Sequence, residues 1–267
     1  MVIKYKKIQF INSTDRIQGT DSDFSIRIDL PKDKTFDRVV VLNSSFPKSY
    51  YLIPKGSFFT LKELAVYTNI NVPEGNYNRK SFQTVITNLL NSNSPNNWTY
   101  SITYPDAFTG ADIGKFIYTV SGNGSNQPSL IFNTRLYRQF GFNPNSVNDF
   151  VGNTITSANV LKFQSEDVLL INSDICDNGG DTILHEIYSS GSPNLSNIIH
   201  ECQDPEQNSR VLTTSNSSVY RFFITDENGQ LIDFNGLNIT MTLMFYKKDT
   251  INNLIESYIK YKLLQNK

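Results

Sequence analysis

The sequence predicts an all-β fold: an antiparallel β-sandwich, a single jelly roll with insertions, carrying one amphipathic helix near residues 78–92 and a C-terminal helix. Three observations lead there. Apolar runs of strand length recur about a dozen times, separated by Asn-, Gly- and Pro-containing turns. Several runs alternate cleanly: Phe24, Ile26, Ile28 and Leu30 early in the chain, and Leu237, Ile239, Met241, Leu243 and Phe245 late. A chain of 267 residues buries a sizeable core but is too short for two complete jelly rolls with their loops.

Taken in order, a first strand ends at Ile11 and a polar linker runs from Asn12 to Ser22, ahead of the Phe24–Leu30 strand. Val39 to Leu42 is continuously apolar, as in a strand covered on both faces. Phe58–Leu61 and Ala65–Val72 read as strands, and the cluster Pro73-Glu74-Gly75-Asn76-Tyr77 as a turn. Phe82, Val85, Ile86, Leu89 and Leu90 then form one helical stripe, with Asn78 as its N-cap. Trp98–Tyr104 and Lys115–Ser121 make a hairpin, and 121–128 a loop. Arg135–Phe140 is a short helix closed by Gly141. Residues 143–159 read as irregular. Val160–Phe163, Val168–Asn172, Ile183–Tyr188 and Ile198–Cys202 read as strands, and 203–217 as a polar connection. Val219–Thr225 and Leu231–Phe234 form a hairpin around Asn228-Gly229, and Leu237–Tyr246 closes the sheet. Domain organisation follows: 1–248 is a jelly-roll domain with insertions, and 249–267 a helical tail. In the tail, Asp249 is the N-cap and Ile251, Leu254, Ile255, Tyr258, Ile259 and Leu263 the stripe. A two-domain α+β arrangement split near residue 130 is the alternative.

Composition narrows function by exclusion. The net charge of −1 gives no field drawing the chain to nucleic acid or an anionic membrane. About one residue in nine is Asn, which together with plentiful Ile, Lys, Tyr and Phe points to A/T-rich codons. No apolar run approaches the length of a membrane span. The opening MVIKYKKIQF has lysines without a following apolar region, so it does not read as a signal peptide. Two cysteines make no disulfide framework.

The sharpest chemical candidate is the set Cys176, His185, His200 and Cys202, all of them possible zinc ligands. Their spacing matches no metal motif; alternation would place His200 and Cys202 on one strand face, and packed core residues are the simpler reading. Asp21 and Asp23, and Asp174, Asp177 and Asp181, match no calcium loop and read as turn carboxylates. Gly122-Asn123-Gly124-Ser125 lacks the lysine and helix of a phosphate cradle. Lys4, Lys6 and Lys7 read either as a basic edge facing DNA or as lysines guarding an edge strand. With two histidines and no Gly-x-Ser-x-Gly elbow, a nucleophilic triad has little to draw on. No catalytic, cofactor-binding or metal residue is assigned, and the chain reads as a non-enzyme needing no cofactor.

An ordered set of motifs resembles penton and minor capsid proteins of virophages, polinton-like viruses and relatives of large DNA viruses. It comprises Asp15-Arg16, Gly19-Thr20, Ser22-Asp23-Phe24, Ser45-Phe46-Pro47-Lys48-Ser49-Tyr50-Tyr51, the Asn71–Asn78 segment with the helix after it, Trp98–Tyr104, Gly114-Lys115-Phe116, Phe140-Gly141-Phe142, Asn172-Ser173-Asp174-Ile175 and Ile224–Gly229. The resemblance spans most of residues 8–246. It implies a jelly-roll capsid subunit without catalytic residues, forming homopentamers at icosahedral vertices beside a double-jelly-roll major capsid protein. Its location would be the virion, and the host cytoplasm during assembly. A different minor capsid role, or a carbohydrate-binding attachment module using exposed Trp or Tyr, is the alternative function; an enzyme on the same fold ranks third.

Overall fold

The computed structural model describes residues 3–31, 35–105, 112–132, 136–164, 168–176, 182–189, 192–213, 218–248, 254, 255, 258, 259, 261 and 262. The chain folds as two compact units, 1–50 with 166–267, and 51–165. The span 1–248 read from the sequence as one domain with insertions thus contains both units. Their boundaries lie at 50/51 and 165/166 rather than near residue 130.

In the first unit, β1 (Ile3–Asn12) leads through a single 3-10 turn at Ser13–Asp15 into β2 (Gln18–Gly19), β3 (Asp23–Arg27) and β4 (Arg38–Pro47). The second unit follows. It holds β5 (Phe58–Glu63), β6 (Val66–Asn71), α1 (Arg79–Asn93), β7 (Thr99–Thr103), β8 (Ile117–Ser121), β9 (Ser129–Phe132), α2 (Tyr137–Phe140), β10 (Ser146–Asp149) and β11 (Thr154–Thr156). The chain then returns to the first unit with β12 (Val168–Ser173), β13 (Ile183–Tyr188), β14 (Asn197–Glu201), β15 (Arg210–Val211), β16 (Val219–Thr225) and β17 (Thr240–Lys248).

Strand order defines the first unit. One sheet runs β1-β17-β4-β14, with β15 also on β4; the other runs β13-β12-β16-β3-β2. Setting aside the two-residue β2 and β15, the strands from first to last are β1, β3, β4, β12, β13, β14, β16 and β17. First pairs with last, second with seventh, third with sixth and fourth with fifth, all antiparallel. That is one long hairpin rolled into two sheets, the jelly roll. The 51–165 unit is inserted between its third and fourth strands. Ile11, Val39, Val41, Phe46, Ile171, Phe222, Leu243 and Phe245 are among the side chains filling the space between the sheets. Val40, Met244 and Tyr246 are also buried, with Leu42 and Cys202 packed on them. β4 is therefore covered on both faces, which is why Val39–Leu42 reads as an unbroken apolar run.

The second unit has sheets β10-β9-β5-β6 and β11-β8-β7 around an aromatic core that includes Phe59, Phe82, Phe116, Tyr118, Phe132 and Phe140. Helix α1 starts at a reciprocal cap: the Asn78 side chain accepts from the Ser81 N–H, and Ser81 Oγ accepts from the Asn78 N–H. It buries Phe82, Ile86 and Leu90. Gly141 ends α2 with φ of 74°, a left-handed cap that suits glycine.

Besides the two-residue strands β2 and β15, which fall in the expected linker 12–22 and connection 203–217, four local readings change. Val160–Phe163 is no strand; Leu161 and Lys162 each donate one backbone bond, to Gly114 and Arg138, and build no ladder. Residues 143–159 contain β10 and β11. Leu231 makes only an isolated bridge to Thr225, so the expected second hairpin has no second strand. The last strand starts at Thr240, because a turn closed by the Leu237 N–H on the Phe234 carbonyl precedes it.

Candidate functional site

The stretch Phe46–Tyr50 leaves β4 and pins two loops of the jelly roll. The Lys48 ammonium is buried and donates to the carbonyls of Ser189, at 2.9 Å, and Ser192, at 2.7 Å, between β13 and β14. The Tyr50 hydroxyl reaches Ser189 Oγ at 3.2 Å. Ser49 Oγ donates to the Phe234 carbonyl at 2.6 Å, and Asn235 Nδ2 donates to the Ser49 carbonyl. A buried ammonium is tolerable because carbonyl dipoles face it.

Surface apolar residues gather on both edge strands of one sheet. β1 and β14 end the order β1-β17-β4-β14. Ile8 and Phe10 on β1 are 54% and 58% exposed, and Ile199 on β14 is 70% exposed. Register places all three on the outer face, since Ile8 lies opposite Met244, Phe10 opposite Thr242, and Ile199 opposite Ser45, itself opposite Thr240. The helical tail residues Leu254, Ile255, Tyr258, Ile259 and Tyr261 are exposed as well. The expected cap at Asp249 and the stripe positions Ile251 and Leu263 lie outside the described residues.

The zinc quartet of the sequence reading does not assemble. Cys176 sits in the jelly-roll core, its Sγ toward the carbonyls of Ser173 and Thr182. Cys202 does not share a face with His200 as alternation suggested. A register shift between β17 and β4 at Thr242/Leu243 breaks the alternation, and Cys202, past the end of β14, packs on Val40, Met244 and Tyr246. His185 and His200 alone meet, with ring centroids 4.1 Å apart. Among the described residues no group of three His, Cys, Asp or Glu side chains could hold a metal.

The other candidates are bound up in structure. Asp23 receives a two-pronged bond from Arg221, both contacts at 2.7 Å, which holds its carboxyl below the usual range. Asp174 accepts from the Arg221 backbone N–H, and Asp21 from the Gly236 N–H. Asp177 and Asp181 lie outside the described residues. Lys6 is exposed and Lys7 donates to the Asp29 carbonyl, on a β1 that is a sheet edge. Gly122–Ser125 is a turn stabilised by Asn123, which donates to Asn126 and Asn153. Trp98 is only 6% exposed and belongs to the second unit's core, so it offers no sugar-stacking surface. Sequence reasoning missed the edge residues Ile8, Phe10 and Ile199. The available signal was the presence of apolar residues in both alternation registers of Tyr5–Ile11.

No family model and no curated protein matches the chain. Among solved structures, the selenomethionine-labelled mavirus penton protein superposes with a TM-score of 0.41 and 12% identity, over 90% of this chain and 99% of that one. The jelly-roll assignment above rests on strand order and register. No helix among the described residues is long and apolar enough to cross a membrane.

Proposed function

We propose that the chain is a non-enzymatic capsid subunit, a penton that assembles as a homopentamer at icosahedral vertices and contacts a double-jelly-roll major capsid protein. The observation that carries this reading is a single jelly roll with apolar residues exposed at both edge strands of one sheet, Ile8 and Phe10 at one end and Ile199 at the other. A ring of identical subunits needs two different complementary patches on each copy, and opposite edges of one sheet supply two. The ordered motifs that resemble penton and minor capsid proteins support the same reading. The exposed tail residues Leu254, Ile255, Tyr258 and Ile259, helical where described, fit a docking segment for a neighbouring subunit or the major capsid protein. The protein would then reside in the virion and gather in the host cytoplasm during assembly.

Native mass measurement of the full chain tests this. A pentamer is expected, with each contact burying at least about 800 Å² per partner. Ile8→Asp with Phe10→Asp should abolish it while the melting temperature of the single subunit holds. Cutting after Lys248 should leave that temperature unchanged and prevent entry into capsids. A stable trimer, or glycan binding by a monomer that never assembles, would overturn the proposal.

A further inference from the structure

We propose that His185 and His200 form an acid-released latch that closes the β13/β14 edge of the jelly roll. The proposal does not depend on the capsid reading. β13 ends one sheet and β14 the other. His185 lies opposite Ile171 and on the same face as Ile187, and both of these are core residues. His200 lies opposite Ser44, on the face shared by Ile198 and Phe46. Both imidazoles therefore point inward from different sheets, and they meet at that edge with ring centroids 4.1 Å apart.

The contact has the properties of a latch that neutral rings close and charged rings open. His185 is 7% exposed, and its Nε2, the Nε2 of His200 and the Oγ of Ser44 are all buried without a hydrogen-bond partner among the described residues. A neutral imidazole carries one N–H and one bare nitrogen, so an unpartnered buried Nε2 costs less in the neutral ring than in the charged one. Protonation puts a hydrogen on both ring nitrogens, leaving buried N–H groups with no acceptor and two like charges in contact. The charged groups around the pair deepen the effect on His185 and moderate it on His200. Burial, then His200, then Arg210 on β15 push His185 from its ordinary 6.5 down to about 4. Burial also lowers His200, while Glu201 beside it acts in the opposite sense. Glu186 and Arg210 are the charged residues lining the cavity of about 470 Å³ outside the pair, which Tyr188, Ile199 and Asn208 also border. That cavity gives the rings somewhere to swing. A metal ion fits less well, because both Nε2 atoms are closed to solvent and Arg210 puts a positive charge on the cavity wall.

The direction of the pH dependence follows. The closed pair binds protons less readily than the opened one, so the latch holds fully above pH 6.5 and weakens as pH falls toward 4. From the His185 values alone, the opening equilibrium rises about twenty-fold between pH 7 and pH 5. His200 adds in the same direction.

The test uses the full chain, which has only two histidines. Their ring-proton resonances are followed by NMR from pH 8 to 4, and amide exchange is measured for β13 and β14 against β3 and β16. We expect both histidines to titrate below the ordinary 6.5, His185 near 4, with opening of β13 and β14 rising about twenty-fold from pH 7 to 5 while β3 and β16 stay closed. In His185→Phe, which keeps a ring but cannot take a proton, the rise should shrink well below twenty-fold, leaving only what His200 contributes. Titration near 6.5, edge exchange indifferent to pH, or an undiminished rise in His185→Phe would each overturn the proposal. Should that variant fail to fold, the titration and exchange of the unaltered chain decide.

Discussion

Glu63 offers the most quantitative test of how the second unit is held together. Its side chain is fully buried at the end of β5, yet its two oxygens accept four bonds. Oε1 takes the hydroxyls of Ser94, at 2.7 Å, and Tyr100, at 2.8 Å; Oε2 takes the backbone and side-chain N–H groups of Asn96, each at 3.0 Å. Ser94 in turn accepts the Trp98 N–H at 2.8 Å, so this one carboxyl joins β5, the end of α1 and the start of β7. Glu63→Met removes all four acceptor contacts at similar volume. Asn96 is exposed and its N–H groups regain water, at about 0.5 kcal/mol each, whereas Tyr100 is buried and its orphaned hydroxyl costs about 2 kcal/mol, with about 1 for Ser94. The sum is about 4 kcal/mol. With a urea slope of about 2 kcal/mol per molar for a unit of this size, the midpoint falls by about 2 M. Trp98, the sole tryptophan, reports this unit by fluorescence. Glu63→Gln should cost much less, since its amide can still donate to the two hydroxyls and accept from Asn96. Adding Tyr100→Phe to Glu63→Met should recover about 1–2 kcal/mol by removing the stranded hydroxyl. A shift under about 0.5 M for Glu63→Met, or equal damage from Gln and Met, would refute the reasoning.

Other expectations follow from the same contacts. Lys48→Met should lower stability by about 1–3 kcal/mol and speed amide exchange between β13 and β14, because the Ser189 and Ser192 carbonyls lose their shared donor. Asp23→Asn should cost under about 1 kcal/mol at neutral pH, as befits a part-exposed ion pair. Since the Asp23 carboxyl is held down by Arg221, that difference is present above about pH 4 and should vanish as pH falls through its lowered value. Cys202→Ser should cost about 1–2 kcal/mol on thermal melting. Chelators and reductants should change neither fold nor assembly.

The parts of the fold legible in the sequence are those whose signals are local. Val39–Val41 declared itself because both faces of β4 are buried, and α1 because its cap and its stripe agree. The second unit's smaller sheet pieces were not legible. Ser146–Asp149 and Thr154–Thr156 are short and polar, and they are strands only because Ser129–Phe132 and Ile117–Ser121 pair with them. Val160–Phe163 misled in the other direction. Its hydrophobicity serves Phe163, whose ring meets Phe82 at 5.2 Å and Phe116 at 6.2 Å, and not a ladder. The histidine pair was visible only as two residues in a list, because their contact arises from closing one sheet on the other.

Ser45–Tyr51, one motif of the ordered set behind the resemblance, is occupied with internal work. Lys48, Ser49 and Tyr50 spend their polar groups on the loops before β14 and β17, and Phe46 fills the core. Its residue types follow from the jelly-roll connection they have to secure. The residues that the proposed assembly would use are of another kind. Ile8, Phe10 and Ile199 make the outer face of the sheet apolar where the core requires nothing of them. Exposed side chains on edge strands are where apolar substitution carries an aggregation hazard, so a chain that keeps three of them at the two ends of one sheet gains from it only if those ends are covered. On the proposed capsid reading, fold and assembly would rest on separable residue sets. The first is held in place by buried hydrogen bonds, and the second can change without disturbing the strand order that defines the jelly roll.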